Sequence, residues 1–115
     1  MRILICGDRN WTNPTPIYRI LNNLDKKDII IHGACRGADL LAGLIAKELG
    51  FIVEEYPAQW GKYGKAAGPL RNREMLNSGA NLVIAFHEDI KKSRGTINTI
   101  RQAQELNIPV ILVTK

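Results

Sequence analysis

Short apolar runs alternate with segments of helical periodicity along the whole chain. The runs are RILIC (2–6), DIIIH (28–32), FIVEEY (51–56), LVIAF (82–86) and VILVT (110–114). Four of the five are almost continuous in Ile, Leu and Val, a pattern typical of strands buried on both faces of a parallel sheet. The pattern therefore predicts five strands.

The segments between these runs show the apolar spacing of helices. Residues 17–24 and 38–49 place hydrophobic side chains at i, i+3, i+4 and i+7, and Gly50 follows the second of these segments. Two further helices are predicted over residues 69–77, starting at Pro69, and over residues 96–106.

This regular β-α alternation predicts a three-layer α/β sandwich with a mainly parallel five-stranded sheet. The 115 residues are expected to form one domain. The longest predicted loop covers residues 57–68, and a loop of that length in a small domain is commonly functional.

Composition narrows the functional classes without selecting one. Hydrophobic residues make up 45% and charged residues 23%, as in ordinary soluble proteins. No apolar run is long enough for a membrane helix, and MRILICGD lacks the features of a signal peptide, so we expect a cytoplasmic protein.

Cys6 and Cys35 lack a zinc-type spacing, and no metal site is expected. The net charge of +5 is consistent with an anionic partner, or simply with solubility.

Glycines and arginines cluster directly after the predicted strands. Ligands of open parallel sheets bind at the carboxyl ends of the strands, where helix N-termini also point. The segments at that edge are GDRNWTN, HGACRGAD, GPLRNRE and HEDIKKSRGT. Their shared position is the main functional signal of the sequence.

The segment HGACRGAD surrounds the start of the second helix. Gly33 and Gly37 would let backbone N–H groups approach a phosphate, and Arg36 is a further candidate for binding it. The same glycines also suit a tight strand-to-helix turn, with Asp39 favoured by the helix dipole. Neither of the standard nucleotide-binding glycine motifs is present.

The segment SRGT precedes the fourth predicted helix. Gly95 permits close approach of a phosphate, and Thr96 is expected to act as a phosphate donor or as the helix N-cap. Trp60 and Trp11 could stack on a base, although tryptophan in a small domain more often packs against the core.

The sequence contains no evident catalytic group. His32 and His87 end two strands, but neither is assigned a catalytic role. Glu74, Glu88, Asp89 and Asp39 are the candidate general bases, and none of them is part of a pair whose spacing indicates acid–base chemistry. The sequence does not establish an enzyme.

Four segments together resemble a small bacterial and phage family related to YspA, within the SLOG superfamily named for SMF/DprA and LOG proteins. They are GDRNW, HGACRGADLLA, PAQWGKYGKAAGPLRNREML and RGTINTIRQAQELNIPV, which extend over nearly the whole chain. The resemblance implies a Rossmann-like fold that binds nucleotides or their derivatives at the strand carboxyl ends. It also implies a set of pocket residues: Gly7, Arg9, Gly33, Gly37, Asp39, Arg71, Asn72, Gly95 and Thr96.

The resemblance does not extend to the catalytic motif of some relatives. Those relatives cleave nucleoside monophosphates at the N-glycosidic bond with an arginine and a glutamate in a PGGxGTxxE motif. Here KSRGTINT lacks the paired glycines, and Thr99 occupies the glutamate position.

The third predicted helix carries a dense polar group at Arg71, Asn72 and Arg73. Arg71 and Arg73 are separated by about 200° on a regular helix, so both cannot contact one phosphate. Arg71 or Asn72 can face the pocket while Met75 and Leu76 pack. We expect Arg71 to bind the ligand.

The preferred function is binding, sensing or sequestration of a phosphorylated nucleotide-type ligand, such as a nucleotide, an NAD derivative or ADP-ribose. The alternatives are a nucleotide hydrolase and, third, single-stranded nucleic-acid binding through Trp60, Tyr63 and basic residues. No cofactor or membrane partner is expected, and the small sheet is compatible with a homo-oligomer.

Overall fold

A five-stranded parallel sheet forms the centre of the molecule. The structure is a computed structural model that describes residues 1–114. The strands are β1 (Arg2–Gly7), β2 (Ile29–His32), β3 (Ile52–Glu55), β4 (Leu82–Phe86) and β5 (Val110–Val113). All neighbouring strands pair in parallel in the order β3-β2-β1-β4-β5. The predicted α/β fold is confirmed.

Helices cover both faces of this sheet. They are α1 (Pro14–Asn22), α2 (Ala38–Glu48), α3 (Trp60–Tyr63), α4 (Ala67–Asn77) and α5 (Arg94–Glu105), with short 3₁₀ turns at Gly64–Ala66 and Ile90–Lys92. None of the helices within residues 1–114 has the length and apolar character needed to cross a membrane.

Strand β1 separates two hydrophobic cores because its side chains alternate between the faces of the sheet. Ile3 and Ile5 pack on the face covered by α1 and α2. Leu4 and Cys6 pack on the other face, with residues of α4 and α5. Both faces of the central strand are therefore covered by helices. The loop that follows β1 emerges at the carboxyl edge of the sheet.

The prediction of a loop over residues 57–68 is wrong for most of its length. This segment contains α3, the 3₁₀ turn Gly64–Ala66 and the first two residues of α4. Helix α4 also begins at Ala67 rather than at Pro69. Proline is accommodated in the first turn because the N–H groups there have no partner within the helix.

Two other predicted features differ in the structure. Helix α1 ends at Asn22, so Leu24 lies beyond it while still packing partly against the core. Strand β5 is not buried on both faces, because it lies at the edge of the sheet and leaves Ile111 and Leu112 48% and 42% exposed.

Candidate functional site

A cavity of about 440 Å³ opens at the carboxyl ends of β1 and β4. These strands are neighbours, but the helices that follow them, α1 and α5, pack on opposite faces of the sheet. The resulting crevice is the place where open α/β sheets bind ligands. The lining residues are Cys6, Gly7, Asp8, Arg9, Asn10, Cys35, Asp39, Arg71, Asn72, Met75, His87, Lys92, Ser93, Arg94, Gly95, Thr96 and Thr99.

The loop after β1 forms one wall of the cavity. A Cβ atom on Gly7 would lie 2.2 Å from the carbonyl oxygen of Phe86, so only glycine allows β1 to pass β4 so closely here. The Asp8 carbonyl accepts hydrogen bonds from Trp11 N and Ala38 N. Arg9 is exposed at the rim and has no side-chain hydrogen bond or ion pair with residues 1–114.

The N-terminus of α2 is partly occupied by groups of the protein itself. Gly37 has a φ of 82°, and a Cβ there would lie 2.3 Å from the Asp8 carbonyl oxygen, so this glycine packs directly on the 8–9 backbone. Ala38 N donates to that same carbonyl at 3.0 Å. Oδ2 of Asp39 accepts hydrogen bonds from Gly33 N at 2.9 Å and Cys35 N at 3.4 Å.

Arg71 fastens α4 to the loops that follow β2 and β3. Its Nη1 donates to Gly33 O at 2.5 Å and to Tyr56 O at 3.3 Å, and its Nε donates to Asn72 Oδ1 at 2.9 Å. A Cβ on Gly33 would lie 2.4 Å from Nη1, which explains the glycine. Its Nη2 donates to the Cys35 sulfur at 3.6 Å and has no oxygen or nitrogen partner within residues 1–114, so this group is the part of Arg71 most open to a ligand.

Arg73 faces away from this site. It is exposed, and its nearest ionic partner is Glu105 of α5 at 3.7 Å. Asn72 lies on the cavity side, is 4% exposed, and donates to Asn98 Oδ1 at 3.1 Å. The structure thus places Arg71 and Asn72 in the cavity wall and Arg73 on the surface.

The N-terminus of α5 presents free backbone donors. Ser93, not Thr96, is the N-cap, and it accepts a hydrogen bond from Thr96 N at 3.2 Å. Thr96 is the third residue of the helix, so its prediction as a cap is wrong. Within residues 1–114, the N–H groups of Arg94 and Gly95 have no partner, and the space beside Gly95 is open.

Positive charge surrounds this helix start. Arg94 and Lys92 are exposed side chains that line the cavity, and neither is paired with another residue of the described chain. Four basic and two acidic side chains line the cavity as a whole. A helix N-terminus with free N–H groups and adjacent cations favours a phosphate.

Both histidines occupy equivalent positions at strand ends. Nδ1 of His32 accepts from Ala34 N at 3.0 Å, and Nδ1 of His87 accepts from Asp89 N at 2.9 Å, which assigns the proton to Nε2 in each neutral ring. His87 lines the cavity with its Nε2 4.0 Å from Asp8 Oδ2. His32 instead faces α2, and burial lowers its pKa.

Burial also perturbs two groups at the cavity floor. It raises the pKa of Asp39 to about 6, against the opposing effect of the backbone N–H groups of Cys35 and Gly33 and of the Arg71 charge. It raises the pKa of the Cys6 thiol far above its ordinary value. Asp39 is therefore an anion at neutral pH, and Cys6 is a neutral thiol.

Four of the eleven predicted site residues do not line the cavity. Gly33 and Gly37 act in loop packing, as described above, and Arg36 is exposed outside the cavity. Trp60 is 58% exposed, and its ring lies over Gly68. It therefore neither packs in the core nor lines this cavity. Trp11, in contrast, is 7% exposed and packs edge-to-face on Phe86, as expected.

Sequence reasoning missed several lining residues that flank the predicted ones. Their signal was present, since most of them lie in the same segments that follow the strands. They are Cys6, Asp8, Asn10, Cys35, Met75, His87, Lys92, Ser93, Arg94 and Thr99.

The candidate general bases are dispersed. Asp39 lines the main cavity, and Glu88 lines an adjoining cavity of about 380 Å³ that shares Asp8 and Asn10 with it. Asp89 caps the turn at Ile90–Lys92, and Glu74 is exposed on α4. Residues 1–114 contain no group of three or more His, Cys, Asp or Glu side chains arranged to hold a metal ion.

The fold defines a Rossmann-like protein, and its crevice between β1 and β4 has basic side chains around its mouth. A sequence model of the YspA, cpYpsA-related SLOG family matches residues 1–63. The "Gene 61 protein" of Mycobacterium phage D29 is 39% identical over 119 residues, which cover 96% of this chain and 94% of the phage protein. The chain belongs to the YspA, cpYpsA-related SLOG family, and this membership points to a nucleotide-related function.

A solved structure shares the fold. The X-ray structure of DNA processing protein A (DprA) from Streptococcus pneumoniae superimposes with a TM-score of 0.78 over 96% of this chain, at 19% sequence identity. The chain spans about half of the length of that structure, since it covers 49% of it. The Rossmann-like character of the fold is thereby confirmed.

Proposed function

We propose that the protein binds a phosphorylated nucleotide-type ligand in the crevice between β1 and β4. The observation that carries this proposal is the start of α5, where the N–H groups of Arg94 and Gly95 are free beside the unpaired Lys92 and Arg94 side chains. Charge-assisted hydrogen bonds from such donors are the strong ones in phosphate recognition.

The cavity dimensions support the same proposal. About 440 Å³ is within the usual range for small-molecule sites, and the adjoining cavity extends the space past Asp8 and Asn10. A ligand larger than a phosphate ion is therefore accommodated. Binding or sensing is preferred over turnover because Thr99 occupies the position of the glutamate in the hydrolytic relatives, and its hydroxyl donates to Gly95 O.

Arg71 contributes to this site mainly by holding it together. Three of its hydrogen bonds go to Gly33, Tyr56 and Asn72, so it joins α4 to two of the loops around the cavity. Its Nη2 group faces the cavity and is the part that would reach an acceptor atom of the ligand. Arg71 therefore belongs to the proposed site and also stabilises the loops around it.

Thermal unfolding in the presence of nucleoside mono- and diphosphates, NAD, ADP-ribose and cyclic nucleotides tests the proposal. A ligand at about 100 times its dissociation constant stabilises by roughly 2.7 kcal/mol, a shift of several degrees in a domain of this size. Arg94→Ala is expected to weaken binding about tenfold. Arg101→Ala, the same change on an exposed residue of the same helix, is the control.

Failure of the whole panel to stabilise the protein, or equal binding by the Arg94→Ala and Arg101→Ala variants, contradicts the proposal. Release of free base or inorganic phosphate during these incubations would favour the hydrolase instead.

Single-stranded nucleic-acid binding is the second candidate, and one surface favours it. Trp60 and Tyr63 are 58% and 44% exposed, and residues 59–66, which include Lys62 and Lys65, are all exposed. Exposed aromatic rings beside lysines suit base stacking and phosphate contacts. Fluorescence titration with a short single-stranded DNA should then show salt-sensitive binding that is lost in Trp60→Ala.

A further inference from the structure

The carboxylate of Asp39 is buried and only half satisfied. Asp39 is the second residue of α2 and is 6% exposed. Its Oδ2 accepts two backbone hydrogen bonds, from Gly33 N and Cys35 N. Its Oδ1 has no hydrogen-bond partner within residues 1–114.

The free oxygen is accessible from the cavity. Among the described residues, the fully enclosed side-chain atoms without a partner are Arg2 Nε, His32 Nε2 and Gln102 Oε1. Asp39 Oδ1 is not one of them, and the Asp39 side chain lines the cavity. Since Oδ1 is unpartnered but not enclosed, a ligand in the cavity can reach it.

The other acidic side chain of the cavity is arranged differently. Oδ1 of Asp8 accepts from Asn10 N at 2.9 Å, and its Oδ2 lies 4.0 Å from the protonated Nε2 of His87. At 4.0 Å this second oxygen makes no hydrogen bond, and the Asp8 side chain is 26% exposed to water. Asp39 is therefore the buried carboxylate of the cavity that offers an unused acceptor.

The distribution of charge restricts what can bind to this acceptor. The basic side chains Arg9, Lys92 and Arg94 are exposed around the mouth. Asp39 lies deeper, among the buried lining residues Cys6, Asn72, Met75 and Thr99, and the charge that acts on its carboxylate is that of the partly buried Arg71. A phosphate beside an ionised carboxylate would be repelled, and a cation would be repelled at the mouth. A neutral hydrogen-bond donor satisfies both constraints, because an ionised carboxylate only accepts.

We propose that Asp39 Oδ1 accepts a hydrogen bond from a sugar hydroxyl of the ligand while the phosphate lies at the start of α5. This inference rests on the proposed function and narrows its ligand class to nucleoside phosphates that carry this hydroxyl. The ionised state of Asp39 at neutral pH agrees with an acceptor role. A deoxy compound without that hydroxyl, and phosphate compounds without a sugar, then lack this hydrogen bond.

Calorimetric titration at pH 7.5 tests the proposal. The four ribonucleoside 5′-diphosphates are compared first, and the tightest binder is then compared with its 2′-deoxy and 3′-deoxy counterparts and with inorganic pyrophosphate. At least one deoxy compound is expected to bind about tenfold more weakly, the usual effect of losing a hydrogen bond to a charged group. Pyrophosphate is expected to bind more weakly still.

The Asp39→Asn variant tests whether Asp39 is the residue that accepts the hydrogen bond from the sugar hydroxyl. It keeps the size of the side chain and replaces the ionised acceptor by a neutral amide oxygen, so the preference for the hydroxyl is expected to fall by about threefold or more. Glu74→Gln, the corresponding change at an exposed position on α4, is expected to keep the wild-type preference.

The outcomes separate this inference from the proposed function. Equal affinity of the wild-type protein for ribonucleotide and both deoxy compounds overturns the hydroxyl site and leaves nucleotide binding standing. A hydroxyl preference as large in Asp39→Asn as in the wild type assigns the contact to another residue and also overturns it. Absence of binding by all four ribonucleoside diphosphates overturns this inference, whereas the proposed function falls only if the whole thermal panel also fails. If Asp39→Asn fails to fold, the affinities of the wild-type protein for the ribonucleotide and its deoxy counterparts still test the hydroxyl site.

Discussion

The starts of α2 and α5 look alike in the sequence but differ in the structure. Both follow a central strand, both lie beside glycines, and both face the crevice at the end of β1. The first N–H of α2, that of Ala38, is bonded to the Asp8 carbonyl, and the next residue, Asp39, carries a carboxylate that lines the cavity. At α5 the N–H groups of Arg94 and Gly95 are free, and the nearby side chains are basic.

This difference shows that glycine at a helix start is not by itself a phosphate signal. Gly37 is required because the backbone of the 8–9 loop packs against it, whereas the space beside Gly95 is open. The start of α2 packs against the 8–9 loop and carries the negative charge of Asp39. The start of α5 has free N–H groups and basic neighbours, which favour an anion.

Gly37→Ala should break the packed helix start and cause the largest loss of stability. Its Cβ would meet Asp8 O at 2.3 Å, in a conformation with φ of 82° that alanine rarely adopts. We expect a loss of about 3 kcal/mol or more. Gly50→Ala, with φ of 93° but no atom within 4 Å, should lose only about 1 kcal/mol. Urea unfolding measures both, and equal losses would show that the contact with Asp8 is unimportant.

Arg71→Lys should loosen the connection between α4 and the loop that precedes α2. Lysine cannot reproduce the hydrogen bonds to Gly33 O and Asn72 Oδ1, and we expect a loss of roughly 2 kcal/mol. Arg73→Lys on the exposed side of the same helix should change the free energy of unfolding by less than about 0.5 kcal/mol. If the two variants unfold alike, Arg71 does not have the structural role assigned to it.

The buried carboxylate at α2 should give stability a measurable pH dependence. The pKa of Asp39 is about 6 in the folded protein, against an ordinary value of 3.8. Between these values the folded protein binds more protons than the unfolded chain, so lowering the pH from 7 to 4 adds stability through this group. The difference in unfolding free energy between wild type and Asp39→Asn should therefore shift in favour of wild type as the pH falls. A shift in the opposite direction, or none, would disagree with the burial of an ionised Asp39.

Ser93→Ala should produce the smallest effect, at the start of α5. The variant removes the cap on Thr96 N and should destabilise the protein by about 1 kcal/mol. Ser93→Thr is a useful comparison, because threonine also has a hydroxyl that can cap the helix, and it should lose less stability. No loss of stability in Ser93→Ala would contradict the assignment of Ser93 as the N-cap.

Much of the fold could be predicted from the sequence because it is encoded locally. The apolar runs gave the five strands to within two residues at each end, and the alternation with helices gave the parallel sheet. Exposure was less predictable: VILVT has the composition of a buried strand, but its position at the sheet edge depends on strand order. Residues 57–68 carry no periodic pattern, so their short helical turns had no local signal.

The site was predictable only at the level of segments. The rule that ligands bind at strand ends selected loops that do line the cavity, and seven of the eleven predicted residues are among its lining residues. The roles of single residues depend on contacts between segments, which spacing does not contain. Arg71 bonding to Gly33, across 38 positions of sequence, and Gly37 packing on Asp8 are two such contacts.

The most direct test of the open start of α5 is a comparison of Arg94→Pro with Arg94→Ala. Arg94 is the first residue of the helix and follows an extended Ser93, so proline fits there and removes the backbone N–H as well as the guanidinium. Calorimetric affinity for the nucleotide that gives the largest thermal shift should be about five- to tenfold weaker in Arg94→Pro than in Arg94→Ala. Equal affinity of the two variants would mean that the free N–H group at the start of α5 does not bind the phosphate.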